Sequence, residues 1–177
     1  MARQLWLLRH GEAEPHGTRE DAERRLTERG VGQAHAAGIA LQRLQVSFDA
    51  ALFSPKTRAR RTAELAAEHW SPQQRELLSV HPPLAGDFDA RQALAELAAL
   101  PADGRLLIVG HEPDLSGVVA DLTGARPGLK KGGLAGLRLE SAAGGELVVL
   151  LRPRELALIA GGLGGAGGIG GGPVDGD

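Results

Sequence analysis

Cysteine is absent from this 177-residue chain. Its absence excludes disulfide bonds, thiolate catalysis and cysteine-ligated zinc, and is typical of a protein in a reducing compartment. Aromatic residues are also scarce, with three Phe, two Trp and no Tyr, which argues against stacking platforms for single-stranded nucleic acid. The first apolar run, Leu5 to Leu8, is too short for a signal sequence or a membrane span. We therefore expect a soluble cytoplasmic protein.

A strong excess of charge of one sign is lacking as well. The net charge of -2 and the isoelectric point near 6.3 give no general attraction to nucleic acid or to an anionic membrane. We expect neither as a partner, so any anion binding has to be local. Glycine, in contrast, is abundant, with 26 residues. Because many of them follow Ala160, we predict one domain over residues 1–159 and a flexible Gly-rich tail over residues 160–177.

Strand-like and helix-like patterns alternate along most of the chain. Strands are predicted at about residues 4–9, 50–53, 77–80 and 106–109. Helices are predicted after a cap at Thr27, from about Lys56, over about residues 89–100, and through Leu115 and Leu122. Two further strands around Ala143-Gly144-Gly145 predict a hairpin. The pattern predicts an α/β fold of three αβα layers, with a mostly parallel mixed sheet and helices on both faces.

Two histidines stand where predicted strands end. Arg9-His10-Gly11 follows the first strand, and Gly110-His111 follows the strand at residues 106–109. In open α/β sheets ligands bind beyond the carboxyl ends of the strands, so we expect both imidazoles near one pocket. A third strand end, at Ser54, leads to Arg58. Arginine binds phosphate oxygens with a fixed fork and a neutral imidazole can attack phosphorus, so the pattern predicts phosphoryl chemistry.

The charge of the neighbouring arginines bears on the state of His10. Guanidinium groups disfavour a protonated imidazole, which would keep His10 nucleophilic near neutral pH. A metal site is not expected, because His111-Glu112 lacks the second histidine of a helical zinc motif and no other cluster has ligand spacing. We expect no cofactor either.

Three short blocks, taken together and in this order, resemble a known family. They are Arg9-His10-Gly11, the stretch from Ser54 to Glu64, and Gly110-His111-Glu112-Pro113. They resemble the histidine phosphatase superfamily, which has the phosphoglycerate mutase-like fold. Asp21, the element Arg24-Arg25-Leu26-Thr27 and Gly30 resemble more closely its SixA-type phosphohistidine phosphatase branch. The resemblance covers about residues 4–152.

The resemblance implies a role for each matching residue. It implies that His10 is the nucleophile that forms a phosphohistidine intermediate. It implies that Arg9, Arg58 and His111 bind the phosphoryl group and stabilise its charge. Asp21 matches the loop acid that would protonate the leaving group, and Glu12 is the second candidate for that role.

The chain also departs from the superfamily's larger members, which carry a long helical lid and an acid after the third strand. The corresponding stretch, from His81 to Asp87, has no obvious glutamate and no lid insertion, which favours an open site that admits a protein-borne phosphohistidine. Glu112 stands where the branch usually has asparagine, and its charge would weaken phosphate binding if it points inward. Three functions stay open: hydrolysis of phosphohistidine on a protein, hydrolysis of a small phosphorylated metabolite, and phosphate binding without turnover.

Overall fold

The computed structural model describes residues 2–141 and 144–161, and in these ranges strands and helices alternate as predicted. The strands are β1 (Arg3–Arg9), β2 (Ala50–Phe53), β3 (Leu78–Val80), β4 (Arg105–Gly110), β5 (Leu134–Ser141) and β6 (Gly144–Leu151). The helices are α1 (Glu28–Arg43), α2 (Thr57–Ala67), α3 (Pro72–Arg75), α4 (Ala90–Ala98), α5 (Asp114–Thr123) and α6 (Pro153–Gly161). Short 3-10 turns span Asp21–Glu23 and Pro82–Ala85.

The strands form one sheet in the order β3-β2-β4-β1-β5-β6. The neighbours β3, β2, β4 and β1 pair in parallel, whereas β5 is antiparallel to β1 and β6 is antiparallel to β5. The predicted mostly parallel mixed sheet is therefore confirmed. The register pairs Arg9 of β1 with Gly110 of β4, so His10 and His111 leave the sheet side by side.

Helices cover both faces of this sheet. Alternation along β1 directs Leu5 and Leu7 to a core shared with α4 and α5. Trp6 and Leu8 point to the other face, into a core shared with α1, α2 and α6. Successive strand residues face opposite sides, so a buried run of this kind needs cover on both sides. The three αβα layers are as predicted.

The start of α1 packs closely against the segment that follows β1. Thr27 caps this helix, because its side chain accepts a hydrogen bond from the backbone N–H of Gly30. A Cβ added at Gly30 would lie 2.0 Å from the carbonyl oxygen of Glu12, and one at Gly11 would lie 2.6 Å from that of Gly30. Glycine at both positions lets the two backbones meet, which fixes the chain just after His10.

One strand boundary and two helices differ from the sequence prediction. Gly144 and Gly145 lie in β6 rather than in the turn of the hairpin, and residues 142–143 fall outside the described ranges. Helix α3 was not predicted. Helix α6 was not predicted either, and it reaches Gly161, two residues into the segment predicted as a tail.

The remainder of the predicted tail, residues 162–177, lies outside the described residues. Within the described part, none of the helices combines the length and the apolar character needed to cross a membrane.

Candidate active site

The predicted strand ends meet at one cleft. The imidazole rings of His10 and His111 lie with their centroids 5.2 Å apart, and Ser54 follows β2 beside them. The cleft has a volume of about 210 Å³. Its lining includes the four side chains expected to bind phosphate, Arg9, His10, Arg58 and His111, together with Ala13, Glu14, Pro15, His16, Arg24, Glu112 and Lys131. The structure thus brings together in one place residues that come from three separate strand ends.

His10 is a buried neutral imidazole, with 6% of its surface exposed. Its Nδ1 lies 2.7 Å from the carbonyl oxygen of Gly11, an atom that only accepts, so the ring proton sits on Nδ1. The lone pair is then on Nε2, where it accepts a hydrogen bond of 3.3 Å from Nε of Arg58. Burial, followed by the charges of Arg58 and Arg9, lowers the pKa of His10 to about 3. The arginines act as the sequence predicted, but burial is the larger cause.

His111 is buried as well, with 8% of its surface exposed. Its Nε2 lies 2.7 Å from Oγ of Ser54, and that oxygen accepts the backbone N–H of Lys56 at 3.3 Å. The arrangement that satisfies all three groups directs the Ser54 hydroxyl proton to Nε2, which leaves a proton on Nδ1. Burial and the proximity of His10 lower the pKa of His111 to about 3, so this imidazole is also neutral.

Two buried donors at this cleft have no hydrogen-bond partner among the described residues. They are Nδ1 of His111 and Nε of Arg9, whereas Nη1 of Arg9 donates to the carbonyl oxygen of Leu129 at 2.9 Å. Buried polar atoms are nearly always paired, and an unpaired one costs free energy. An oxyanion bound in this cleft would accept hydrogen bonds and so supply the partner that these two donors lack.

Arg58 comes from the first turn of α2 and is held by the loop that contains Asp21. Its Nη1 donates to the Asp21 carbonyl oxygen at 2.7 Å, and its Nη2 lies 3.3 Å from Oδ2 of the same residue. Only 5% of its surface is exposed. Because Asp21 anchors Nη1 and Nη2 of the Arg58 guanidinium, its Nε is directed at Nε2 of His10.

Asp21 itself is surrounded by cations. Nζ of Lys56 lies 2.9 Å from its Oδ2, and Nη2 of Arg24 lies 2.9 Å from its Oδ1. The hydrogen bond from Lys56, then that from Arg24 and the charge of Arg58, hold the pKa of Asp21 well below its usual range. In this arrangement the Asp21 carboxylate is ionised and anchors Arg58; its role as the leaving-group acid stays a prediction.

Glu12, the second predicted acid, faces away from the two imidazoles. Its Oε1 accepts a hydrogen bond of 2.9 Å from Oγ1 of Thr27, and its Oε2 lies 3.6 Å from Arg29. It lines a neighbouring cleft instead of the one that holds His10. The sequence placed Glu12 beside His10 along the chain, but the turn after Gly11 directs its side chain elsewhere.

Glu112 does line the cleft of His10. Its carboxylate accepts hydrogen bonds from the backbone N–H of Ser116 at 2.9 Å and from the Ser116 hydroxyl at 2.5 Å. Its charge is thereby drawn toward the first turn of α5, where the N-terminal end of a helix favours an anion. This contact holds the Glu112 carboxylate toward Ser116, so its charge repels phosphate in the cleft less than a free carboxylate would.

Sequence reasoning missed three residues that complete the site. Arg24 is buried, lines the cleft and donates from Nη1 to the carbonyl oxygen of Glu14 at 2.7 Å. Thr62 accepts the backbone N–H of Gly11 at 3.1 Å, which ties α2 to the segment after His10. Ser54 orients His111. All three lay inside the quoted motifs, but the partners of Ser54 and Thr62 are distant in the chain.

The structure also bears on the expectation of no metal. Among the side chains of residues 2–141 and 144–161, no group of three or more His, Cys, Asp or Glu is arranged to hold a metal ion.

Comparison with known proteins shows the family. The sequence model of the histidine phosphatase superfamily (branch 1) matches residues 5–79, a range that contains His10 and Arg58. An uncharacterized protein of Picosynechococcus sp. is 34% identical over 164 residues, which cover 86% of this chain and 98% of that protein. The chain therefore belongs to the histidine phosphatase superfamily.

Solved structures place the chain with the SixA-like branch of that superfamily. The protein histidine phosphatase SixA, solved in complex with tungstate, is similar with a TM-score of 0.74 and 26% identity, covering 86% of this chain and 99% of that one. A putative alpha-ribazole-5'-P phosphatase from Escherichia coli K-12 has a TM-score of 0.68 at 22% identity, covering 86% of this chain and 98% of that one, a likeness of fold alone. Family membership and site geometry together support a phosphatase activity.

Proposed function

We propose that this protein hydrolyses phosphohistidine on a partner protein, and that His10 carries the phosphoryl group as a covalent intermediate. The observation that carries the proposal is the state of His10. It is neutral, its proton is held by Gly11, and its Nε2 lone pair faces Arg58. A neutral imidazole with an unprotonated Nε2, held at present only by the long hydrogen bond from Arg58, is the nucleophile that such a reaction needs.

The site supplies each step of this reaction. The phosphoryl oxygens take up hydrogen bonds from Arg58, from Nε of Arg9 and from Nδ1 of His111, the last two of which lack protein partners among the described residues. Nε2 of His10 attacks phosphorus as the P–N bond to the substrate imidazole breaks. The Nδ1–H bond to the Gly11 carbonyl stabilises the positive charge that develops on the His10 ring. Water then attacks the phosphorylated His10, which releases phosphate and restores the neutral imidazole.

The state of the nearby carboxyl groups favours phosphohistidine over a phosphate ester. The pKa of Asp21 is lowered by Lys56 and Arg24, and that of Glu14 by the backbone N–H of Arg25 and by Arg19. Neither carboxylate holds a proton for an alkoxide at neutral pH. The imidazole of phosphohistidine takes its proton on the other ring nitrogen, away from the scissile bond, so solvent can supply it.

The rim of the cleft is compatible with a substrate carried on a protein. Pro15, His16 and Lys131 line the cleft and all three are exposed to solvent. Phosphohistidine that projects from a folded surface has to reach His10 without its carrier entering the cleft. An exposed rim around a site of this size allows that approach.

A comparison of three substrates tests the proposed function. The protein is incubated with a histidine-phosphorylated phosphotransfer domain, with a sugar phosphate and with an aryl phosphate, and released phosphate is measured. We expect kcat/KM on the phosphorylated domain to exceed that on the sugar phosphate by at least about tenfold. Turnover of the sugar phosphate alone would instead support a phosphatase of small metabolites. Binding of all three without turnover would support a phosphate-binding module.

The covalent route has its own test. During turnover of a labelled substrate, acid-labile phosphate is expected on His10, and His10→Asn is expected to abolish both label and turnover. His81→Asn serves as the matched control, because His81 lies outside the cleft and contacts Glu96. Wild-type turnover by His10→Asn would rule out the intermediate.

A further inference from the structure

A second cleft lies beside the one that holds His10. It has a volume of about 460 Å³, and we call it the basic cleft. Six of its lining side chains are basic and one, Glu12, is acidic; the basic ones are Arg9, Arg29, Lys130, Lys131, Arg152 and Arg154. The whole chain has a net charge of -2, so this is a local concentration of positive charge on a weakly acidic protein.

The basic cleft is continuous with the cleft of His10. Arg9 and Lys131 line both of them. Nε of Arg9 is buried and has no hydrogen-bond partner among the described residues. The basic cleft therefore adjoins the position at which a phosphoryl group would reach His10.

Much of the positive charge in the basic cleft is not neutralised. Arg29 lies 3.6 Å from Glu12, and Arg152 pairs with Glu155. Within residues 2–141 and 144–161, no ion pair involves Lys130, Lys131 or Arg154.

The cations in α2 and directly before it are arranged differently. Arg60 and Arg61 lie 3.6 and 3.5 Å from the carboxylate of Glu64, and Lys56 lies 2.9 Å from that of Asp21. Their charges are compensated within the protein. Of these two surfaces, the basic cleft is the better one for an anionic partner.

We propose that the basic cleft docks an acidic surface patch of the protein that carries the phosphohistidine. This inference rests on the proposed function and names the property of the partner that the site recognises. Lys130, Lys131 and Arg154 are exposed, and long exposed side chains adapt to several carboxylates on a folded surface. A fixed site for one small anion would instead use a buried, anchored guanidinium such as that of Arg58. Charge complementarity of this kind raises the association rate and selects the partner.

Paired variants test the docking surface. The double variant Lys130→Gln with Arg154→Gln removes two positive charges from the basic cleft. The control variant, Arg105→Gln with Arg138→Gln, removes two from the opposite end of the sheet, where both residues pair with Gln4. The substrates are a histidine-phosphorylated phosphotransfer domain, the same domain with the Asp and Glu residues around its histidine replaced by amides, and free phosphohistidine.

We expect the basic-cleft variant to lower kcat/KM on the acidic domain by about tenfold through KM, with kcat unchanged. Its turnover of free phosphohistidine and of the amide domain should equal that of the wild type, and the control variant should match the wild type on all three substrates. Rising ionic strength should slow the wild type on the acidic domain and have less effect on the basic-cleft variant.

Other outcomes overturn the proposal. Equal losses in the two double variants would mean that net charge matters and the cleft does not. Loss of turnover on free phosphohistidine would make the basic cleft a site for a small anion.

If the wild type turns over no phosphohistidine, the proposed function fails, and docking is then judged by binding of the acidic domain alone. Binding of that domain weakened about tenfold only in the basic-cleft variant would still support docking, and equal binding by both variants would refute it.

Discussion

Oγ of Ser54 and Nε2 of His111 lie 2.7 Å apart, although the two residues are 57 positions apart in the chain. The hydroxyl determines which nitrogen of His111 carries the proton, and so whether that imidazole donates a hydrogen bond into the cleft. This makes Ser54 a positioning residue for the phosphoryl site. Arg58 is likewise held by Asp21, which lies 37 positions away in the chain.

Ser54→Ala is expected to weaken phosphate binding without removing the nucleophile. Loss of one hydrogen bond leaves Nε2 of His111 unpaired and allows the proton to move there, so we expect kcat/KM on an aryl phosphate to fall about tenfold, which corresponds to about 1.4 kcal/mol. The nitrogen chemical shifts of His111 should change from the Nδ1–H form to a mixture of forms. An unchanged tautomer in the variant would contradict this assignment.

Asp21→Asn separates a positioning role from an acid role. If Asp21 holds Arg58, the variant should lower kcat/KM by a similar factor for aryl phosphates with good and with poor leaving groups. A general acid would instead matter most for poor leaving groups. The measurement is the dependence of log kcat/KM on leaving-group pKa, with Glu12→Gln as the control that should leave the slope unchanged. A steeper slope in Asp21→Asn would restore the acid role.

The two buried histidines make stability depend on pH. Their pKa values in the folded protein are lowered to about 3 from an unfolded value near 6.5, so the unfolded chain binds protons first as the pH falls. The free energy of unfolding should therefore be constant above about pH 6.5 and fall below it, by about 1.4 kcal/mol per pH unit for each histidine, until the pH nears 3. Urea unfolding from pH 8 to pH 4.5 measures this slope.

The matched variant for that measurement is His10→Asn with His111→Asn, which should show a flatter pH dependence over the same range. An equal slope in the wild type and in the double variant would assign the pH dependence to other groups. Histidine NMR gives an independent reading, since the ring protons of His10 and His111 should not titrate between pH 8 and pH 5.

Gly11→Ala tests the close approach that fixes the loop after His10. A methyl group there would lie 2.6 Å from the carbonyl oxygen of Gly30, so backbone has to move. We expect a loss of stability of about 2 kcal/mol and a larger loss of kcat/KM, because His10 is displaced. Gly32→Ala is the control: a methyl group at that position of α1 meets nothing within 4 Å. It should raise stability by up to about 1 kcal/mol. Equal thermal melting of both variants would contradict the packing argument.

Local patterns in the sequence were sufficient for the fold class and for the core of the candidate site. The apolar run of β1 ends at Arg9, and that of β4 ends beside His111, so the rule that parallel strands end at one edge was enough to expect both imidazoles together. Helix α6 escaped prediction because Leu156 is its one buried residue. Its packing on α1 is a contact between distant parts of the chain, which a local pattern does not show.

The amino-acid pattern alone indicates the type of chemistry, because two imidazoles and two guanidinium groups stand at or just after strand ends and cysteine is absent. The protonation state of each group depends on the three-dimensional arrangement. His10 is neutral because it is buried beside Arg58, and Asp21 is ionised because Lys56 and Arg24 surround it. Desolvation and charge depend on neighbours in space, and those neighbours come from distant parts of the chain.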